Sequence, residues 1–107
     1  MIYKFKSKAG ADVIMLGPQG DQILKLLGRE PMAQGILPVG ELPQAMHKLE
    51  QAAAEDDAAF AAAQAEAVAA GEPPPRREGV SLRQRVWPLL ELMRHSVKAE
   101  EPVIWGV

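Results

Sequence analysis

Cysteine is absent from all 107 residues, which removes disulfide staples, thiolate metal sites and thiol nucleophiles together. Threonine and asparagine are missing too, so side-chain hydroxyls are confined to Ser7, Ser81, Ser96 and Tyr3. That is a thin supply of the nucleophiles and oxyanion donors that a hydrolytic site needs. No stretch approaches the ~18 apolar residues of a membrane span, and the opening Met1-Ile2-Tyr3-Lys4-Phe5-Lys6 lacks the apolar segment of a signal peptide. The expectation is a cytosolic (cytoplasmic) protein with no membrane contact.

What is present fits one domain, residues 1–107, because a chain of this length buries about two-thirds of its unfolded surface in a single core. The net charge of −2 is unevenly spread. Residues 1–40 carry five Lys or Arg against three Asp or Glu, residues 41–71 carry one against six, and residues 72–107 carry six against five. A dedicated nucleic-acid binder needs a broadly basic face, so this balance makes nucleic acid an unfavoured partner.

Ile2–Lys6 and Asp12–Leu16 are short runs of β-branched, aromatic and aliphatic residues joined by Ser7-Lys8-Ala9-Gly10-Ala11, which predicts a β-hairpin. Tyr3 and Phe5 face opposite to Lys4 and Lys6, whereas Val13 to Leu16 are apolar on both faces, so the second strand is expected to be the more buried. Lys4 and Lys6 suit an edge strand that stays wet. Gly17-Pro18-Gln19-Gly20 is expected to break the chain before a short helix carrying Ile23, Leu24 and Leu27 and stopped by Gly28. Residues 29–40, with Pro31, Gly35, Pro38 and Gly40, are read as an irregular connection.

Pro43 fits the first turn of a long second helix, with Leu42, Met46, Leu49, Ala53 and Phe60 on one side. Twelve alanines between Ala52 and Ala70 favour helix but offer little area to bury, which predicts a loosely docked distal half. Residues 72–79, with Pro73 to Pro75, read as an exposed linker. Ser81 and Gln84 form a capping box for a third helix with an apolar stripe from Leu82 to Val97, interrupted by Pro88, which either kinks that helix or starts a new one. Val103-Ile104-Trp105-Gly106-Val107 predicts a last strand pairing with the hairpin. The fold class is therefore α+β: a small three-stranded antiparallel sheet, hairpin plus C-terminal strand, packed with about three helices. Because two strands are apolar on both faces, the second sheet face is expected to be covered by a helix or by another copy of the chain.

Tyr3-Lys4-Phe5-Lys6-Ser7-Lys8, Asp12-Val13-Ile14-Met15-Leu16, Gly20-Asp21-Gln22-Ile23-Leu24, Ser81-Leu82-Arg83-Gln84-Arg85 with Trp87-Pro88-Leu89, and the closing Pro102 to Val107 carry a resemblance. Over nearly its whole length the chain resembles a family of short proteobacterial proteins catalogued as DUF1840, a domain of unknown function. The resemblance implies a shared fold and a cytosolic bacterial setting, and it brings no activity, ligand or catalytic residue.

Three constellations carry possible chemistry. The Gly17-Pro18-Gln19-Gly20 turn is a faint phosphate-binding echo, weakened because Pro18 removes a donor and no Gly-rich fingerprint is present. His47 with Glu50, and Glu91 with His95, are one helical turn apart and supply two metal ligands each, without an evident third. Arg76, Arg77, Arg83, Arg85, Trp87, Arg94 and Lys98 cluster around the third helix and form the candidate partner surface. The plainer reading pairs Arg83 and Arg85 with the acidic second helix and puts Trp87 in the core. With no catalytic residue, metal or cofactor indicated, the reading is a non-enzymatic protein-interaction module with a protein partner or a weak homodimer. The alternatives are a small-ligand or phosphate-binding protein or minor enzyme, and nucleic-acid binding through the arginines.

Overall fold

The computed structural model describes residues 2–77 and 79–106. Strands β1 (Ile2–Ser7) and β2 (Gly10–Leu16) form the predicted antiparallel hairpin, in register from Ile2 opposite Leu16 to Phe5 opposite Val13. The turn is tighter than the five-residue connection expected, because Ser7 already pairs with Gly10 and the Ser7 hydroxyl accepts the Ala9 N–H at 3.2 Å. No break follows β2. Helix α1 (Gly17–Leu26) starts on the next residue, and Gly17-Pro18-Gln19-Gly20 is its first turn, where Pro18 forfeits only an N–H that would have no helical partner. The helix stops as expected at Gly28, in the left-handed region at φ 78°, while the Arg29 N–H closes onto the Leu24 carbonyl at 2.8 Å.

The sheet has four strands, not three. The additional strand, β3 (Gly35–Leu37), lies in the segment read as irregular, and β4 (Val103–Trp105) is sandwiched between it and β1. The order is β2-β1-β4-β3 with every neighbouring pair antiparallel: Phe5 and Lys6 face Trp105 and Ile104, which face Gly35 and Ile36 in turn. The C-terminal strand does join the hairpin, through β1. Two expectations about the hairpin are overturned by this order. With β1 paired on both sides, the lysine-bearing strand is central and β2 is an edge, so β2 buries only Met15 fully and is less buried than β1.

A 3-10 turn (Val39–Glu41) leads into α2 (Leu42–Ala69), and α3 (Leu82–Ala99) precedes the C-terminal strand. All three helices press on one sheet face. The core there joins Tyr3, Phe5, Met15, Leu37, Val103 and Trp105 of the sheet to Ile23 and Leu24 of α1, Leu42 and Leu49 of α2, and Val86, Leu89 and Met93 of α3. The α3 start is fixed by the predicted capping box: Ser81 Oγ accepts the Gln84 N–H at 3.1 Å, and Gln84 Oε1 accepts the Ser81 N–H at 3.0 Å. Pro88 neither ends nor restarts the helix. It sits on the exposed side of α3, as does Gln84, so the carbonyl deprived of its partner faces water. The buried Ser96 hydroxyl donates to the Leu92 carbonyl at 2.6 Å and lies 2.7 Å from Ser7 Oγ, which ties α3 to the hairpin turn.

Burial along α2 ends at Ala53, and the remaining helix extends past the core, stretching the molecule to 51 Å along its longest axis. The proline segment folds back along this extension. Gln64 Nε2 donates to the Pro75 carbonyl at 3.4 Å, and the Arg77 guanidinium lies 4.4 Å from the Phe60 ring centroid while its two nitrogens reach Asp56 and Asp57 at 3.0 Å. These contacts are exposed and contribute about 0–1 kcal/mol each. Amide exchange across residues 58–77 is therefore expected to be the fastest of any helical region; protection equal to that of α3 would show that the proline segment anchors α2 firmly.

Candidate interaction surfaces

The seven residues singled out on α3 and its approach do not converge on one patch. Arg77 and Arg83 are held by α2 carboxylates, Arg83 Nε reaching Asp57 at 2.7 Å. Arg94 bonds Glu50 at 3.1 Å and its own neighbour Glu91, with its guanidinium 5.3 Å from the Trp87 ring centroid. Arg85 projects the other way, to Gln22 of α1 at 3.2 Å, rather than onto the acidic helix. Trp87 is 54 % exposed, so it is not the core residue that its bulk suggested. Arg76 and Lys98 are exposed without an ion pair among the described residues.

The other constellations separate as well. Among the described residues no group of three His, Cys, Asp or Glu is placed to hold a metal ion. Gly17 and Gly20, the glycines of the phosphate-like turn, are buried; a Cβ on Gly20 would fall 2.0 Å from the Tyr3 ring, so this glycine seats an aromatic side chain. A cleft between the end of α1 and α2 encloses about 260 Å³, and its polar lining is partly consumed by the Arg29–Glu41 ion pair at 2.8 Å.

Tyr3 is the group whose titration the fold changes most clearly. Burial of its ring raises the phenol, and donation to the Asp21 carboxylate together with that carboxylate's charge raises it further, to about 12 from 10.0. A raised acid of this kind stabilises the fold fully below the unfolded pKa and loses that contribution as pH climbs toward the folded value. The melting temperature is thus expected to fall more steeply between about pH 10 and 12 in the wild type than in Tyr3→Phe, which lacks the phenol. Parallel curves would show that the phenol is not protected.

An uncovered apolar surface lies on the second sheet face, which the sequence predicts to be covered. Alternation along the strands turns Ile2, Ile14, Leu16 and Ile36 outward, and they are 64, 62, 60 and 48 % exposed; Ile104 joins them half-buried between Lys6 and Ile36. No helix covers this face, which removes one of the two covers the sequence suggested. The signal was present in the double-sided apolar run of β2, but the identity of its neighbours depended on strand order.

A two-layer α+β fold with one helical face and one bare sheet face is thereby defined. Residues 1–105 match the family described as a domain of unknown function (DUF1840), and the chain belongs to that family. Neither a curated protein nor a solved structure matches it. Among the described residues no helix is long and apolar enough to cross a membrane.

Proposed function

We propose that the chain is a non-enzymatic protein-interaction module whose partner docks on the outer face of the sheet. The bare aliphatic face carries this reading: five Ile and Leu side chains, contributed by all four strands, lie outward around Lys4 and Lys6. Burying one such side chain contributes roughly 1.5–3 kcal/mol, so covering the face is worth more than the cost of ordering a rim. The five side chains form two groups, Ile2 with Ile14 and Leu16 on one side of the lysines and Ile36 with Ile104 on the other, and exposed aliphatic surface rimmed by polar residues is characteristic of contact sites. The arginine surface supports a partner less directly, since Arg77, Arg83 and Arg94 already meet carboxylates of the same chain. The same pairing occupies three of the six cationic residues between positions 72 and 107, which weakens an arginine-based nucleic-acid site.

Site-specific photocrosslinking tests the reading. A photoreactive side chain at position 14 or 36 is expected to give discrete protein adducts in cells, whereas one at the exposed position 62 of α2 gives none. Equal labelling at all three positions, or none at 14 and 36, would refute it. Sedimentation of the purified chain then separates a second copy from a different protein as the partner.

A further inference from the structure

We infer that the open edge of β2, together with the cleft beneath it, binds an extended peptide as a fifth strand. This rests on the reading of the chain as an interaction module but uses a surface distinct from the outer face. The two sheet edges are unequal. The β3 edge is three residues long and is followed by Pro38, whereas β2 runs for seven residues, Gly10–Leu16, without proline or lysine. Proline, lysine and bulges are the usual devices that blunt an edge; β2 carries only a register shift opposite Phe5–Ser7, and along its regular stretch from Val13 to Leu16 alternate residues point their N–H and C=O groups away from β1. Nothing in the described chain pairs with them.

The cleft supplies the second, independent element. It encloses about 360 Å³ between Ala9–Val13 and α3, where Pro88, Glu91, Leu92 and His95 line it opposite Asp12. A strand added to β2 would send every second side chain down into it, the arrangement by which sheet edges beside a helix take peptides. Pro88 also contributes. At the lip of the cleft it offers an apolar ring where the helix has no N–H to donate.

Charge identifies the occupant. The cleft is lined by two carboxylates and no Lys or Arg, and although Arg94 meets Glu91, Asp12 has no ion pair among the described residues. A second copy pairing through its own β2 would bring Asp12 again and no cation, since Gly10–Leu16 contains none. The fitting ligand is therefore a segment of another protein with alternating aliphatic residues and a Lys or Arg that falls beside Asp12.

A library of acetylated, amidated octapeptides tests this with the intact chain. The peptides alternate Val, Ile, Thr and Tyr, with one Arg walked through the eight positions. Fluorescence anisotropy is expected to find binders for one Arg position, and amide shifts with slowed exchange should map to residues 10–16. N-methylation of alternate peptide residues should weaken binding by at least ~10-fold, since each N-methyl group removes one donor from the ladder and its bulk blocks the approach of the two strands. Asp12→Lys should shift preference to peptides with Glu at that position, with its melting temperature showing that the fold persists. No binder at about 1 mM, shifts confined to the outer sheet face, insensitivity to N-methylation, or a β2-paired homodimer in sedimentation would each overturn the inference. Crosslinks at positions 14 and 36 that persist after such a failure would leave the outer-face reading standing, so the two are separable.

Discussion

Removing residues 103–107 is expected to leave a chain that does not fold. This segment supplies β4, the strand joining β1 to β3, so its loss strips one side of β1 and leaves β3 with no sheet partner. Val103 and Trp105 are both 0 % exposed. Truncating a buried tryptophan alone costs about 3–5 kcal/mol, and an aliphatic residue adds roughly 1.5–3 kcal/mol. Against a total stability of about 5–15 kcal/mol for a domain, that is most or all of the margin. The Trp105 ring also stands 5.8 Å from that of Phe5 and its indole N–H donates to the Met32 carbonyl at 3.0 Å, so the loop before β3 is released as well. Far-UV circular dichroism and a thermal melt check this: a native-like spectrum with the same midpoint would show that the segment is not part of the sheet. Trp105→Phe gives a folded comparison, expected to be destabilised by a few kcal/mol through the lost volume and the stranded carbonyl.

Much of this architecture was legible because its causes are local. The hairpin follows from alternation in Tyr3-Lys4-Phe5-Lys6, the start of α3 from Ser81 and Gln84 three residues apart, and the end of α1 from Gly28, each a signal contained within one turn or strand. What escaped depends on partners distant in sequence. Gly35–Leu37 has no pattern of its own and is a strand because Trp105, seventy residues on, lies flat against Gly35. The same long-range order decides that β2 is an edge and that the lysines of β1 are central, so the burial expected from composition came out reversed. On the surfaces, the arginines were visible as residue types but their pairing was not. Arg83 and Arg85, two positions apart on a helix, point toward α2 and α1 respectively.

Gly20→Ala is expected to destabilise the fold by about 2 kcal/mol or more, against the usual sign of such a change. Gly20 sits within α1, where alanine is ordinarily favoured over glycine by roughly 0.5–1 kcal/mol. A Cβ there, however, would stand 2.0 Å from Cδ2 of Tyr3. Relief would require the ring to move, and the ring is 2 % exposed, stacked 6.0 Å from Phe5 with planes 8° apart, and tethered at its hydroxyl to Asp21. Overpacking a core in this way costs about 1–3 kcal/mol and exceeds the helical gain. Gly35→Ala faces the same obstacle across the sheet, with its Cβ 2.1 Å from Cζ2 of the fully buried Trp105, so it is expected to be at least as damaging. Gly40→Ala provides the contrast. No atom lies within 4 Å of its added Cβ, and losing glycine's freedom in the unfolded chain should make that variant neutral or more stable by up to about 1 kcal/mol. Urea denaturation of the three variants decides the matter: if Gly20→Ala and Gly35→Ala unfold at the wild-type midpoint, the two aromatic rings are not seated on glycine as described.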